Sequence, residues 1–299
     1  MKLQGIFAPL TTPFGEDGGV APARYRENIQ RYNKTALAGY VINGSTSESV
    51  LLLWSEIYKL WETAKEAAAA GKILIAGTGA ESTSGTIEHT KRAAELGFDA
   101  ALVRTPSFYK PAINDDLLAE HYTRVADASP TPILIYSVPL FTHVTVEASL
   151  IARVGTHPNI VGIKDSSGNV EGVVKIMAAA PKSFQTLVGS AATLYESLRR
   201  GATGAILAVA DAFPELCVEI WQAACEGDAE RARALQEKLI APSKILGPQY
   251  GIAGLKYAMD RLGYYGGPPR PPLLRVTEAG RREIEAMLAG MVAETVQRG

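Results

Sequence analysis

Short apolar runs recur along residues 1–225, and each is followed by a segment in which apolar positions return with helical spacing. A continuous apolar run bounded by turn residues predicts a strand buried on both faces. The predicted strands are residues 5–9, 39–43, 72–77, 100–105, 132–136, 160–164, 184–189 and 204–209. The predicted helices are residues 21–37, 55–70, 84–96, 114–128, 146–154, 170–179, 191–200 and 214–225. Ser55 is a candidate cap for the second helix.

This alternation of strands and helices predicts a parallel sheet covered by helices. Eight such units match a closed (β/α)₈ TIM barrel, which takes ~250 residues. An open doubly wound sheet is the alternative, but it would carry a glycine-rich phosphate turn after the first strand, and residues 9–14 do not form one. We therefore predict an α/β protein with the barrel at residues 1–225.

The pattern changes after residue 225, where helical periodicity continues without strands. Helices are predicted at residues 228–240, 252–262 and 277–297, and proline and glycine residues separate them. We predict that residues 226–299 form a helical C-terminal appendage to the barrel.

Composition and charge exclude several classes of function. The 299 residues are 47% hydrophobic and 20% charged, and the net charge of −1 gives no general attraction to nucleic acid or to an anionic membrane. No window reaches the ~18 apolar residues of a membrane span. The N-terminus runs into a strand without an apolar signal core, so a cytoplasmic location is expected. The two cysteines lack metal-site spacing, and no pair of histidines and no carboxylate triad stands at the predicted strand ends, so neither metal nor cofactor is expected.

The working residues of such a barrel lie where its strands end. Lys164 ends the sixth predicted strand, where apolar walls would lower its pKa and leave an amine able to form a Schiff base with a ketone. Tyr136 ends the fifth strand, and Ser45 and Thr46 follow the second. An amine, a phenol and small hydroxyl donors are the set that Schiff-base chemistry on a keto acid requires.

Each of these residues also has a structural interpretation. Lys164 would then be a surface lysine at a strand end, Tyr136 a tyrosine at the edge of the core, and residues 45–47 a turn that caps a helix. Glu48 is expected to be structural. Further candidates for substrate binding at the same rim are Ser166, Gly189, Ser190 and Tyr109.

Three motifs carry a resemblance to a known family. They are Gly-Ser-Thr-Ser-Glu at 44–48, Tyr-Ser-Val-Pro at 136–139 and Gly-Ile-Lys-Asp-Ser-Ser-Gly at 162–168. With them, essentially the whole chain resembles the dihydrodipicolinate synthase / N-acetylneuraminate lyase family of class I aldolases. The resemblance implies that Lys164 forms an imine with pyruvate or another 2-keto acid and that Tyr136 shuttles protons. It also implies carboxylate binding by Ser45 and Thr46, and a homotetramer built as a dimer of dimers.

The chain departs from that family at three positions. Phe141 stands where the synthase branch has an arginine that binds a substrate carboxylate, so synthase activity is not expected. Phe108 aligns with a relay tyrosine that often reaches a neighbouring subunit, and Tyr109 is a candidate replacement for its hydroxyl. Ser47 replaces the second glycine of the 44–48 motif.

Within the family, the likeness is greatest to 4-hydroxy-2-oxoglutarate aldolase. It rests on residues 129–132, 136–139, 157–162 and 263–268, the last of which is expected to lie far from the catalytic rim. The predicted function is the cleavage of 4-hydroxy-2-oxoglutarate to pyruvate and glyoxylate. The alternatives are a dihydrodipicolinate synthase, a sugar-acid aldolase or dehydratase, and an inactive regulatory protein that binds keto acids.

Overall fold

The β-strands close into a barrel in which every neighbouring pair runs parallel. The computed structural model describes residues 2–296, with side chains to residue 291. The strands β1 to β8, in chain order, are Gly5–Ala8, Gly39–Ile42, Ile73–Gly77, Ala100–Arg104, Ile133–Ser137, Ile160–Asp165, Gln185–Val188 and Gly204–Ile206. Each strand pairs with the next, and β8 pairs with β1. The predicted (β/α)₈ barrel is therefore confirmed.

Helices follow the strands and form the outer layer. The helices α1 to α12, in chain order, are Pro22–Tyr32, Trp54–Ala67, Thr83–Glu95, Asp115–Ala128, Pro139–Thr142, Ala148–Val154, Val170–Ala179, Leu194–Arg199, Pro214–Glu226, Ala229–Lys244, Gly251–Arg261 and Glu278–Val296. The predicted end of the last helix, residue 297, lies outside the described residues. No helix within residues 2–296 is long and apolar enough to cross a membrane.

Polar side chains begin several of these helices. Ser82, Asn114 and Asn169 each accept a hydrogen bond from the backbone N–H three residues later, which satisfies an amide that the helix itself leaves free. The prediction of Ser55 as a cap was wrong. Helix α2 begins one residue earlier, because the Glu56 carboxylate accepts the Leu53 N–H at 2.9 Å and closes the first turn.

Helix α1 ends at Tyr32 rather than at residue 37. The next residue, Asn33, accepts hydrogen bonds from the Tyr40 hydroxyl at 3.0 Å and from the Ala69 N–H at 2.9 Å. These bonds tie the chain to β2 and to the end of α2, so the helix stops and Leu37 turns into the core.

Inward-facing side chains fill the barrel and outward-facing ones pack beneath the helices. The inner cluster is Leu3, Phe7, Val41, Ile75, Ala100, Leu102, Leu134, Tyr136, Val138, Leu187 and Ile206. The interior is therefore packed with apolar groups, and space for a ligand remains only above them, at the carboxyl ends of the strands.

The predicted C-terminal helical segment is confirmed, and it covers part of that rim. Helix α10 packs against α9 and the turn that follows β7, and α11 packs against the turn that follows β8. A π-helical turn at Ile245–Gln249 joins α10 to α11. This segment therefore adds a wall to the carboxyl end of the barrel.

Candidate active site

Lys164 lies on β6 and points into the barrel. Only 4% of its surface is exposed, and its Nζ is 4.3 Å from the centroid of the Tyr136 ring. The two residues are direct partners in the β5–β6 register, so the sheet itself holds the amine beside the phenol. The surface interpretation of this lysine does not agree with its burial.

The Tyr136 hydroxyl contacts a residue from a distant part of the chain. It shares a hydrogen bond with Ser45, whose Oγ lies 3.2 Å away, and either oxygen can be the donor. Ser45 belongs to the turn after β2, so the barrel brings together three strand ends that the sequence separates. The amine, the phenol and a hydroxyl thus form one cluster.

The turn that carries Ser45 is a short 3₁₀ helix at Ser45–Ser47. The Ser47 hydroxyl donates to the Leu10 carbonyl at 2.6 Å and accepts the Gly44 N–H at 3.1 Å. Thr12 donates its hydroxyl to the Ser47 carbonyl at 2.7 Å. Ser47, one of the three departures, therefore binds the turn to the loop after β1.

Gly189 follows β7 directly, at a point where no side chain fits. A Cβ at this position would lie 1.9 Å from Ser166 Oγ and 3.2 Å from Lys164 Cε. The missing side chain lets β7 approach the lysine, and Ser166 and Ser190 line the same space. Asp165 does not line this space, and its Oδ1 accepts the Ser167 N–H at 2.9 Å, so this carboxylate anchors the backbone just after β6.

A cavity of about 730 Å³ opens above Lys164. Most of its wall is apolar, and part of it comes from the C-terminal segment, which the sequence does not mark as belonging to the site. Its lining from that segment is Ile240, Ser243, Lys244, Leu246, Gly247, Pro248, Gly251, Ile252 and Leu255. Lys244 and Lys164 are the two charged residues of the described lining, so the cavity suits an anionic molecule. Nothing in the sequence marks Lys244 except its place in a helix.

A second cavity of about 270 Å³ lies on the other side of the Ser45–Tyr136 pair. Arg104 lines it and donates to Glu81 at 2.7 Å. Burial raises the pKa of Glu81, but hydrogen bonds from the Ser107 N–H, Arg104 and the Phe108 N–H outweigh it and bring the pKa down to about 2. Arg104 is thus committed to a structural ion pair.

Two aromatic residues named in the sequence analysis are exposed. Tyr109 is 76% exposed and lines a separate pocket with Glu81 and His121, so within this chain it does not join the cluster. Phe141, on α5, is 62% exposed and lines the mouth of the large cavity. No group of three His, Cys, Asp or Glu side chains in the described part of the chain is arranged to hold a metal ion.

The expectation that residues 263–268 lie far from the rim was wrong. The Pro268 carbonyl accepts a hydrogen bond at 2.9 Å from Lys256, which also pairs with Glu48 at the end of the 44–48 motif. The segment returns to the barrel because α11 folds back over the turn after β8. Residues distant in sequence from the motif thus contact it.

The fold and the cluster together define a lysine-bearing (β/α)₈ barrel of the class I aldolase type. Residues 2–291 match the family model described as the dihydrodipicolinate synthetase family. The chain belongs to this family, and the expectation of a lysine-dependent carbon–carbon lyase is confirmed.

Named relatives cover almost the whole chain. The 4-hydroxy-tetrahydrodipicolinate synthase of Methanothrix thermoacetophila is 34% identical over 289 residues, which are 96% of this chain and 97% of the relative. The crystal structure of chloride-inhibited dihydrodipicolinate synthase from Acinetobacter baumannii, in complex with pyruvate, matches with a TM-score of 0.93 and 29% identity and covers 97% of this chain and 99% of that one. The 4-hydroxy-tetrahydrodipicolinate synthase of Methylacidiphilum fumariolicum also matches with a TM-score of 0.93, at 26% identity, and covers 99% and 98%.

Proposed function

We propose that this protein is a Schiff-base-forming lyase that makes or breaks a carbon–carbon bond of a pyruvate-derived 2-keto acid, with Lys164 as the nucleophile. The observation that carries the proposal is the buried Lys164 amine, 4.3 Å from the Tyr136 ring and open to a cavity that can hold such an acid. An amine held in a pocket attacks a ketone and forms a covalent imine, which divides a difficult reaction into easier steps.

The proposed cleavage needs only the three clustered side chains. Lys164 Nζ attacks C2 of the keto acid, and water leaves as the iminium forms. The iminium withdraws electrons while the C3–C4 bond breaks, so an enamine remains on the lysine and the C4 fragment leaves as an aldehyde. Tyr136 takes the proton of the 4-hydroxyl, with Ser45 as its hydrogen-bonded partner, and returns it to C3. Water then hydrolyses the imine and releases pyruvate.

The turn after β2 is the proposed site for the carboxylate next to the ketone. The N–H groups of Ser45 and Thr46 begin the 3₁₀ turn, where amides have no partner within the helix. Ser166, Ser190 and the backbone at Gly189 line the opposite side of the same cavity. These donors would hold the keto acid while Lys164 reaches C2.

For the whole substrate we propose 4-hydroxy-2-oxoglutarate, which yields pyruvate and glyoxylate. Phe141 supports this choice, because it supplies an apolar ring where the synthase branch has its carboxylate-binding arginine. Lys244 is the charged side chain of the lining that remains for a second carboxylate. We assign the distal carboxylate of the substrate to Lys244.

A second candidate is 4-hydroxy-tetrahydrodipicolinate synthase, which condenses pyruvate with aspartate semialdehyde. The named relatives favour it, since the synthases of Methanothrix thermoacetophila and Methylacidiphilum fumariolicum both carry this name. Both candidates share the imine on Lys164 and differ in the aldehyde. The comparisons favour the synthase, whereas Phe141 favours the aldolase.

The imine is tested by borohydride trapping with pyruvate. The expected result is an added mass on a peptide that contains Lys164, and no added mass in K164R, because a guanidinium does not form the imine. Exchange of the pyruvate methyl protons in heavy water should accompany it. An unmodified Lys164 would overturn the proposed function, and trapping without exchange would indicate the inactive regulatory protein.

A product screen separates the two candidates. Pyruvate is incubated with glyoxylate or with aspartate semialdehyde, and the products are identified by mass spectrometry. We expect the glyoxylate adduct. A product from aspartate semialdehyde alone would establish the synthase.

The assignment of Lys244 is tested by K244M. The KM of this variant for 4-hydroxy-2-oxoglutarate should rise about tenfold, because a charged hydrogen bond is lost. K238M is the matched control, since Lys238 lies on the same helix but does not line the cavity.

The assembly and location also remain predictions. Phe108 and Tyr109 pack edge to face, with ring centroids 5.1 Å apart, yet each is 76% exposed. Exposed aromatic surface of this kind marks protein–protein contacts, which supports the proposed homotetramer. Sedimentation velocity of the purified chain would measure its mass, and a monomer would contradict the tetramer. A cytoplasmic location is retained as a prediction.

A further inference from the structure

An ion pair is completely buried behind the proposed carboxylate site. Lys256, on α11, donates to Glu48 Oε1 at 2.6 Å, and both side chains have no exposed surface. The same ammonium donates to the Pro268 carbonyl at 2.9 Å. Burial lowers the pKa of Lys256, and the attraction of Glu48 opposes that shift.

The other oxygen of Glu48 is also bound by the C-terminal segment. Oε2 accepts the Arg270 N–H at 2.7 Å, so residues 256–270 supply donors to both oxygens of this carboxylate. Beneath them, the Phe14 ring faces two cations, with Lys256 Nζ 4.5 Å and the Arg270 guanidinium 4.3 Å from its centroid. Glu48 is therefore fixed by a contact network rather than by a single bond.

The backbone at Glu48 is in a conformation that non-glycine residues rarely adopt. Its φ of 58° and ψ of 34° are left-handed, and this residue ends the 3₁₀ turn at Ser45–Ser47. Such a conformation persists only where the surroundings hold it. Here Thr12 and Leu10 hold the turn from the loop after β1, and Lys256 and Arg270 hold it from the opposite side.

We propose that Glu48 and Lys256 are positioning residues for the keto acid: their ion pair fixes the turn whose Ser45 and Thr46 bind its carboxylate. The inference rests on the proposed function, which assigns that turn to the carboxylate. A buried ion pair is seldom the best choice for stability, since apolar residues of similar size often do as well. A positioning role explains why the Glu48 carboxylate, two residues after Thr46, is paired with a lysine in the core.

The test uses the double variant E48Q/K256M, which removes both charges and so leaves no buried charge unpaired. The readout is the pyruvate concentration that gives half of the maximal borohydride trapping at Lys164. We expect this concentration to rise about tenfold or more, because small displacements of binding groups have effects of this size. Trapping at saturating pyruvate should still be complete, since Lys164 itself is unchanged.

Lys72 provides a matched control on the opposite end of the barrel. Its Nζ donates to the Thr35 and Leu37 carbonyls, each at 2.7 Å, and burial lowers its pKa as it does for Lys256. K72M should lower the midpoint of urea unfolding and leave half-saturation by pyruvate unchanged. E48Q alone keeps the volume of the side chain and should also raise the pyruvate concentration at half-maximal trapping. This single variant tests the turn even where the double variant does not fold.

The possible outcomes are distinct. If folded E48Q/K256M reaches half-maximal trapping at the wild-type pyruvate concentration, the pair is only structural and the inference is overturned. Where the double variant does not fold, the same result for E48Q overturns the inference. An equal rise in K72M would show that the effect follows from lowered stability, which also overturns it. A wild-type protein that is not trapped at any pyruvate concentration would instead reject the proposed function.

Discussion

At the scale of single residues, the contact between Lys164 and Tyr136 determines what the site can do. The phenol lies beside the amine because β5 and β6 pair in register, and its hydroxyl reaches Ser45 at 3.2 Å. The ring and the hydroxyl therefore have separate roles. The ring packs against the lysine, and the proposed role of the hydroxyl is to move a proton.

The substitution Y136F separates these two roles. It keeps the ring over Lys164 and removes the hydroxyl, so we expect kcat to fall about 10²- to 10⁴-fold, the usual contribution of a positioned proton-transfer group. Borohydride trapping with pyruvate should still modify Lys164. A kcat within a factor of two of wild type would show that another group moves the proton.

The pattern of apolar runs was sufficient to predict Lys164, Tyr136 and Ser45 as neighbours. Apolar runs determine where strands end, and a closed parallel barrel collects those ends at one rim. The partner of Glu48 could not be predicted in this way. Lys256 is 208 positions further along the chain, and its place depends on how α11 folds over the rim. Lys244 was missed for the same reason.

At the scale of elements, the loop after β4 is held by one carboxylate. Glu81 accepts the N–H groups of Ser107 and Phe108 at 2.8 and 3.0 Å, in addition to its ion pair with Arg104. These bonds favour the charged form, and the pKa of Glu81 falls to about 2 from its usual 4.5. The conformation of this loop is therefore linked to pH.

A loss of stability on acidification follows from that shift. Between pH 4.5 and 2 the unfolded chain binds the Glu81 proton more tightly than the folded chain, so the contribution of Glu81 is complete above pH 4.5 and declines toward pH 2. In E81Q this group does not titrate, so the free energy of unfolding should decline less steeply across the same range. Urea unfolding of both proteins at pH 7, 4.5 and 3 measures this difference. An equal decline in the free energy of unfolding of wild type and E81Q would contradict the prediction.

Elements were predicted more reliably than their ends. Helix α7 matches the predicted residues 170–179, and Asn169 supplies a cap of the expected kind. Helix α1 ends early because Asn33 binds groups on β2 and after α2. A helix boundary that depends on a contact with another element is not encoded in local periodicity.

At the scale of the whole molecule, Arg270 joins three parts of the chain. Its guanidinium donates to both oxygens of Glu56 at 2.6 and 2.7 Å, to the Leu51 carbonyl at 3.0 Å and to the Gly18 carbonyl at 2.8 Å. These acceptors lie on α2, on the loop before α2 and on the loop after β1. A single side chain of the C-terminal segment thus attaches the segment to the first third of the barrel.

Two arginines of this segment form a matched pair of substitutions. R270A leaves the half-buried Glu56 without its partner, and the free energy of unfolding should fall by about 3 kcal/mol. R275A removes an exposed pair with Glu16, and the change should be less than about 1 kcal/mol. Urea unfolding of the two variants measures both values, and equal losses would show that burial does not determine the contribution of these pairs.

The position of Lys256 also has a consequence during synthesis. Residues 44–48 emerge from the ribosome long before residue 256, so the nascent chain carries the Glu48 carboxylate without its counter-ion until α11 has been translated. A nascent chain that ends before Lys256 therefore contains all eight strands but lacks the ammonium that binds Glu48 Oε1. From the proposed role of this pair, we predict that the keto-acid site is completed only when translation is nearly finished.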